Sequence, residues 1–267
     1  MARAINKYIL FLVASIIMAS TFFVYALDND FKEKRSTHFI VYYKGNVDIN
    51  FVNDIVDSAE GYYNQIADNL GFKRYNFWLW DNRAKIYIYP DKATYQSATS
   101  QPDWSGGCAS YRDKTLWTYP HAVGFFDSVL PHELGHIIFR EFIGSGRDIP
   151  IWLEEGVASY QEKSKRYAAD SMVKDYQSKS KLMTMKQLNE TGPDYSILDD
   201  KSAEVFYVES VSIVNYLIST FGKDRFAMLC QRLNEKETLD NALNMTYFNI
   251  KNQEELYKQW LKYLDKK

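Results

Sequence analysis

The sequence contains few cysteines and histidines, which are the residues that build disulfide frameworks and most metal sites. Among its 267 residues are two cysteines, Cys108 and Cys230, and four histidines. Neither cysteine has another cysteine at metal-site spacing, which argues against a cysteine-based zinc site. We expect two separate buried thiols. A disulfide between them is the alternative, because sequence alone cannot place two Cα atoms within bridging distance.

The chain also lacks a basic cluster, a linker rich in glycine, serine or proline, and any internal repeat. Its formal net charge is −2, so no basic surface is available for nucleic acid, and we expect no nucleic-acid partner. Hydrophobic residues make up 46% of the chain and aromatic residues 16%. This composition can supply one substantial core, and we expect one folded domain after the N-terminal segment.

One long uncharged run occurs, Tyr8–Leu27, with two basic residues before it and two aspartates shortly after it. This pattern is typical of a segment that is sent through a membrane. Small residues around Ala26 favour a cleaved signal peptide, whereas 20 uncharged residues would just span about 30 Å of hydrocarbon and favour an anchor. Both interpretations of residues 1–27 are open. Either one predicts that the rest of the chain is extracytoplasmic, secreted or held at the membrane by residues 8–27.

The segment His132-Glu133-Leu134-Gly135-His136 carries an H-E-x-x-H motif inside an apolar run. Positions four apart lie on the same side of a helix, so His132 and His136 can direct two imidazoles at one ion. Glu133 is rotated by about 100° from His132, which puts its carboxylate beside the ion as a proton acceptor for a metal-activated water. A buried core helix that happens to hold two histidines is the alternative.

A third ligand decides between these alternatives. After His136 come 18 residues and then Glu155, within Trp152-Leu-Glu-Glu-Gly-Val-Ala158. Two histidines, one glutamate and an open position for water form a standard catalytic zinc site. H-E-x-x-H, 18 residues and then W-L-x-E-G-x-A resembles the gluzincin zinc metallopeptidases, in particular the aminopeptidase N family and the smaller peptidase MA-like domains. The resemblance implies one zinc per chain, held by His132, His136 and Glu155, with Glu133 as general base.

Several neighbours of the motif carry further expectations. Ser128 would cap the zinc helix. Gly135 is a poor helix residue, which indicates that another backbone or a substrate passes close to it. Ser159, one turn after Glu155, could orient a ligand, and Glu154 would be a neighbour outside the ligand set.

The resemblance also assigns a role to a tyrosine. A single tyrosine on an apolar helix is usually part of the core. In the aminopeptidase-like enzymes, however, a tyrosine on a later helix donates a hydrogen bond to the oxyanion, and Tyr207 occupies that place. His121, in a loop before the zinc helix, could do the same work, although its spacing gives no support. His38 has no partner at ligand spacing and we expect it to be structural.

Substrate choice depends on Gly106-Gly-Cys-Ala-Ser110. In the resembled aminopeptidases the motif G-x-M-E-N lies here, as an edge strand whose glutamate holds the free amino group of the substrate. Ala109 stands at the glutamate position, so the strand can still pair with an extended peptide but lacks that anchor. An unpaired buried ammonium group is costly, which favours an endopeptidase. Asp103 and Glu154 are the acids that could replace the missing one.

The periodicity predicts an α+β fold. Strands are expected at His38–Tyr43 and Lys85–Tyr89, with an antiparallel pair at 108–111 and 115–119, and a helix at Phe51–Leu70. Helices follow almost exclusively. Together with the resemblance, this predicts a thermolysin-like or gluzincin-like catalytic domain over residues 28–267, with a strand-rich lobe at about 28–125 and a helical lobe at about 126–267.

The function expected from sequence is therefore hydrolysis of peptide or protein substrates by a zinc metallopeptidase. Two alternatives are kept. The domain could be a catalytically silent gluzincin-fold binding or scaffolding module, since fold does not determine function. It could also be a zinc hydrolase that acts on an ester or an epoxide.

Overall fold

A computed structural model describes residues 31–73, 78–101, 103, 105–192 and 200–267. The N-terminal segment 1–27, for which we predicted a signal peptide or an anchor, lies outside these residues. Within them, no single helix is long and apolar enough to span a bilayer. Two successive helices meet the length and composition criteria only when taken together, across a bend of 118°.

The N-terminal part of the described chain is a five-stranded sheet. The strands are β1 (Phe31–Arg35), β2 (Phe39–Lys44), β3 (Ala84–Ile88), β4 (Gly107–Ser110) and β5 (Thr115–Thr118). Their spatial order is β1-β2-β3-β5-β4, with parallel pairs β2–β3 and β3–β5 in the centre. The antiparallel strands β1 and β4 form the two edges. The predicted strands and the 108–119 hairpin are confirmed.

β1 was not expected from the sequence. After Phe31 its residues Lys-Glu-Lys-Arg have little β propensity, and its backbone is ordered by pairing with β2. Charged side chains are usual on an edge strand, where they prevent pairing with a second chain.

Ten helices complete the described part of the chain. They are α1 (Ile49–Asn69), α2 (Lys92–Thr99), α3 (Leu130–Ile143), α4 (Ile151–Gln161), α5 (Lys163–Ser178), α6 (Met185–Glu190), α7 (Asp200–Phe221), α8 (Lys223–Asn234), α9 (Leu239–Thr246) and α10 (Gln253–Lys266). Short 3₁₀ and π-type turns occur at Trp80–Asn82 and Phe125–Val129. The predicted order, a sheet first and helices afterwards, is confirmed.

One continuous hydrophobic core joins the sheet to the helices. Alternate residues of β2 and β3 are fully buried, among them Phe39, Val41 and Ile86, because one face of the sheet packs on helices. The same cluster continues through α3, α4 and α7 to Trp260 on α10. The zinc-motif helix α3 therefore lies between the sheet and the C-terminal helices.

Candidate metal centre

Helix α3 positions His132, Glu133 and His136. Pro131 lies in its first turn, where the missing N–H leaves no hydrogen bond unmade. All three motif side chains are buried. The expected Ser128 cap is wrong, because the chain enters α3 from the π-type turn and Val129 occupies the cap position.

Helix α4 brings Glu155 to the two histidines because glycines allow close packing. A Cβ added at Gly135 would lie 3.1 Å from the Ala158 Cα atom on α4. One added at Gly156 would lie 2.5 Å from the Ser210 carbonyl oxygen on α7. The expectation that another backbone passes close to Gly135 is confirmed, and that backbone is the helix that carries the third candidate ligand.

The three predicted ligand side chains converge. The Nε2 atoms of His132 and His136 are 3.1 Å apart. The carboxylate oxygens of Glu155 lie 3.5 Å from His132 Nε2 and 3.6 Å from His136 Nε2. Atoms bound to zinc at about 2.0–2.1 Å in a tetrahedron are about 3.3 Å from one another. The group therefore has the donor types and the spacing of three corners of a zinc site, and it fits the metal that the resemblance implies.

A further carboxylate determines the protonation of His132. Oε1 of the buried Glu162 lies 2.8 Å from His132 Nδ1, and the Ser128 hydroxyl donates to its other oxygen. A carboxylate beside Nδ1 assigns the ring proton to Nδ1 and leaves the lone pair of Nε2 directed at the metal position. Burial acts to raise the pKa of Glu162, but Lys165, with Nζ 2.7 Å from Oε1, and His132 hold it below its ordinary value.

Without a metal, His132 is strongly basic. Burial acts to lower its pKa, yet the adjacent carboxylates Glu155 and Glu162 outweigh burial and raise it. A divalent cation between these carboxylates would take the place of that positive charge.

Glu162 was not predicted from the sequence, which favoured Ser159 for this role. The Ser159 hydroxyl is buried and has no hydrogen-bond partner among the described residues. Glu162 lies seven residues after Glu155, two helical turns along the same face, and that spacing is the signal that could have identified it.

Glu154, the residue before Glu155, is directed to the other histidine. Its Oε1 lies 3.6 Å from His136 Nδ1. Burial acts to raise the pKa of Glu154, but His136 and the Arg140 guanidinium lower it well below its ordinary value. Glu154 is therefore a charged neighbour of the candidate site.

Glu133 lies on the same helix as the histidines and is 5% exposed. Burial raises the pKa of its carboxyl, while the adjacent His132 and His136 oppose that rise. A carboxylate with a raised pKa is a better proton acceptor near neutral pH than an ordinary glutamate.

Tyr207 lies on α7, which packs against α4, and its side chain is mostly buried. The Lys165 ammonium that bonds Glu162 is 6.0 Å from the centre of the Tyr207 ring. The Tyr207 ring therefore lies near the side of the candidate metal centre that Glu162 occupies. Its catalytic role stays a prediction.

The other singled-out residues have structural positions. His38 stacks on Tyr63 at 3.9 Å and bonds Glu60 through Nδ1 at 2.6 Å, which confirms a structural histidine. His121 is exposed in a left-handed loop conformation, and the one ligand cluster within the described ranges does not include it. Cys108 and Cys230 are separate thiols, as expected, but only Cys230 is buried, and Cys108 is partly exposed.

The strand proposed to hold substrate is an edge strand. β4 pairs with β5 on one side only and contacts α3. Ala109 and Tyr111, at alternate positions, pack against the core that contains α3. The two acids considered as replacements are already paired: Asp103 with Lys92 at 2.9 Å, and Glu154 with Arg140.

With this geometry established, comparison with known proteins identifies the family. A family model of the Peptidase MA superfamily matches residues 80–263. The chain belongs to this superfamily. The match covers the edge strand β4, the motif helices α3 and α4, and α7, and it confirms the resemblance inferred from the sequence. Membership supports a hydrolase of the zinc-metallopeptidase type.

Solved structures provide distant matches. Native yeast leukotriene A4 hydrolase matches with a TM-score of 0.46 and 17% identity, over 89% of this chain and 38% of that chain. The same yeast enzyme in complex with bestatin gives 0.45 and 16%, over 88% and 37%. The chain thus spans less than two fifths of the length of these proteins. A search of curated proteins finds no match.

Proposed function

We propose that this protein is a zinc-dependent peptidase that hydrolyses internal peptide bonds. The observation that carries the proposal is the convergence of His132, His136 and Glu155 at zinc-ligand spacing within the matched family region. Zinc held by these residues would polarise a carbonyl and lower the pKa of a water molecule to about 7.

The side chains of the chain would supply the proton transfers. Glu133 takes the proton of the attacking water and returns it to the leaving amine. Glu162 keeps His132 in the tautomer that presents Nε2. Tyr207 donates a hydrogen bond to the oxyanion that develops on the substrate.

Endopeptidase specificity is supported by the substrate strand. Ala109 supplies no charge for a substrate N-terminus, and Asp103 and Glu154 are both committed to ion pairs. A chain end held there would leave an ammonium group unpaired. An extended internal segment needs only the free backbone edge of β4.

We further propose that residues 28–267 form one catalytic domain with a strand-rich and a helical lobe. The continuous core from β2 to α10 supports this. The uncharged segment 8–27 supports a location outside the cytoplasm, secreted or anchored in the membrane. Peptides or proteins would be the substrates.

The test is to incubate a mixed peptide library with purified protein and to sequence the products by mass spectrometry. Internal cuts are expected. Stepwise loss of single N-terminal residues would overturn the endopeptidase assignment. Intact peptides together with bound zinc would favour a silent binding module, and turnover of ester or epoxide probes alone would favour a non-peptide hydrolase.

Two variants separate metal binding from catalysis. Glu133→Gln should keep about one zinc per chain and lower kcat by about 10²–10⁴-fold, because it removes the proton acceptor and no ligand. His136→Ala should lose the zinc. Elemental analysis and a peptide assay measure both quantities. Wild-type zinc content in His136→Ala would refute the ligand set, and wild-type turnover by Glu133→Gln would refute the base.

A further inference from the structure

Arg140 is a buried cation one helical turn after His136, and its side chain joins four parts of the structure. It is 7% exposed. Its Nε donates to Glu154 Oε1 at 2.7 Å, and its Nη2 donates to the other carboxylate oxygen. Its Nη1 donates to the Arg147 carbonyl at 2.8 Å in the α3–α4 connection, and its guanidinium lies 5.4 Å from the Tyr111 ring centre.

The bidentate ion pair between Arg140 and Glu154 links the two helices that carry the candidate ligands. Arg140 belongs to α3, which carries His132 and His136, whereas Glu154 directly precedes Glu155 on α4. A bidentate arginine–carboxylate pair fixes both the distance and the relative orientation of its partners. Tyr111 directly follows β4, so the guanidinium also contacts the end of the strand proposed to bind substrate.

His136 needs a hydrogen-bond acceptor for its Nδ1, and Glu154 can supply one. When its Nε2 binds a metal, its Nδ1 carries a proton and needs an acceptor. In the described structure Nδ1 is buried without a hydrogen-bond partner, and Glu154 Oε1 is 3.6 Å away. Arg140 holds this oxygen in place and neutralises the charge that would otherwise be buried alone.

We propose that Arg140 is a positioning residue for the metal centre. It acts through Glu154 to set the orientation of the His136 ring and the spacing between α3 and α4. This inference rests on the proposed zinc function. A purely structural ion pair is the competing explanation, and it would affect folding stability without changing metal affinity or metal geometry.

The experiment compares zinc affinity and cobalt spectra at one fixed pH. Zinc affinity is measured by competition with a chromophoric chelator, and the visible spectrum of the cobalt-substituted protein reports ligand geometry. Arg140→Met should weaken zinc binding about 10–100-fold, the usual effect of losing an outer partner of a ligand, and should alter the cobalt spectrum.

Two further variants keep the test informative. Arg140→Lys retains the charge but cannot bond both oxygens, so it should weaken zinc binding less than Arg140→Met and still change the spectrum. Arg225→Met is the control, since Arg225 is an exposed arginine that donates to the Thr246 carbonyl at 2.8 Å and lies on α8, which carries no candidate ligand. It should leave affinity and spectrum unchanged.

Wild-type zinc affinity and an unchanged cobalt spectrum in Arg140→Lys would overturn the inference, even if Arg140→Met failed to fold. The His136→Ala variant separates this failure from failure of the proposed function. If His136→Ala loses zinc while Arg140→Lys binds zinc with wild-type affinity, the zinc centre is supported and only the role of Arg140 is refuted. If His136→Ala keeps its zinc, the proposed ligand set itself is wrong.

Discussion

At the scale of single residues, the two nitrogens of His132 have different partners. Nδ1 faces Glu162 at 2.8 Å, and Nε2 faces the other two candidate ligands. Glu162 thus sets the tautomer that zinc binding needs, whereas the hydroxyl of Ser159, which the sequence favoured, has no hydrogen-bond partner among the described residues.

The first residue-scale prediction contrasts these two side chains. Glu162→Gln should weaken zinc binding about 10–100-fold, because an amide is a weaker acceptor for the His132 Nδ1 proton. Ser159→Ala should change zinc affinity by less than about twofold. Chelator competition measures both. Equal losses in the two variants would mean that Ser159 also orients a ligand.

Glu209 on α7 is a buried acid that the proposed mechanism does not use. Its Oε1 accepts the Met183 N–H at 2.7 Å, and its Oε2 has no hydrogen-bond partner among the described residues. Burial raises the pKa of this carboxyl to about 8, opposed only by the Met183 hydrogen bond. It is therefore protonated in the folded protein at neutral pH.

The second prediction follows from this pKa. In the unfolded chain Glu209 ionises near its ordinary pKa of 4.5, so stability falls as pH rises from about 4.5 to about 8 and this loss then levels off. Glu209→Gln removes that loss. Its free energy of unfolding should match the wild type at acid pH and exceed it at pH 8 by a few kcal/mol.

Urea unfolding at several pH values measures this difference. Glu254→Gln, at an exposed position on α10, is the control and should give only a small difference. A constant difference between Glu209→Gln and wild type across the range would show that the carboxyl is ionised in the folded protein.

At the scale of elements, helix contacts without intervening side chains determine the geometry of the centre. Gly156 on α4 meets the backbone of α7, and Gly135 on α3 meets the backbone of α4. A methyl group at Gly156 would require α4 and α7 to separate, because the Ser210 backbone lies 2.5 Å away, whereas one at Gly135 would require its neighbours on α4 to shift by a few tenths of an ångström. The spacing of the candidate ligands depends on these two contacts.

The element-scale prediction uses a matched pair of glycine substitutions. Gly156→Ala should lower the free energy of unfolding by about 1–3 kcal/mol or more and weaken zinc binding, since its Cβ would lie 2.5 Å from the Ser210 oxygen. Gly61→Ala, on an exposed helical position with nothing within 4 Å, should raise stability by about 0.5–1 kcal/mol. Denaturant unfolding measures the change in the free energy of unfolding for both variants and so tests both predicted directions. Stabilisation by Gly156→Ala would contradict the packing argument.

Elements with a local signal were predictable from the sequence. The H-E-x-x-H helix, the 108–119 hairpin and α7 all have periodic apolar residues or turn residues within the element itself. Two features were not predictable. β1 is ordered by its pairing with β2, and at the start of α3 a π-type turn displaces Ser128 from the cap position. The spacing of Glu162 from Glu155 marks it only as a neighbour on the same helical face, and its bond to His132 crosses from the end of α4 to α3. The role of Arg140 likewise depends on contacts between α3 and α4, which spacing alone does not specify.

At the scale of the whole molecule, Asp170 ties the C-terminal helix to the core. It is 7% exposed and accepts hydrogen bonds from Ser212 at 2.7 Å, Tyr263 at 3.0 Å and Lys267 at 2.6 Å. The Trp260 indole donates to the same Ser212 hydroxyl at 2.9 Å. One carboxylate on α5 therefore joins α7 and α10.

The whole-molecule prediction is that Asp170→Ala destabilises the entire described fold. Its loss leaves several donors without their acceptor and should lower the free energy of unfolding by about 2–3 kcal/mol. Asp175→Ala, on the same helix, removes only an exposed pair with Lys179 and should cost less than about 0.5 kcal/mol.

Unfolding followed by circular dichroism and by tryptophan fluorescence measures this effect. Because one core runs from the sheet to α10, the two signals should shift together in Asp170→Ala. Separate transitions would show that the helical lobe unfolds independently, and would argue against one cooperative domain.

The glycine contacts also determine which parts can move. Since α3 and α4 touch near Gly135 and α4 and α7 touch at Gly156, these helices cannot slide past one another and should behave as one rigid body. β4 is held by β5 on one side only, and the chain between the sheet and α3 contains left-handed residues at His121 and Gly124. The three candidate ligands, all on α3 and α4, should therefore keep their mutual distances when other parts of the chain move.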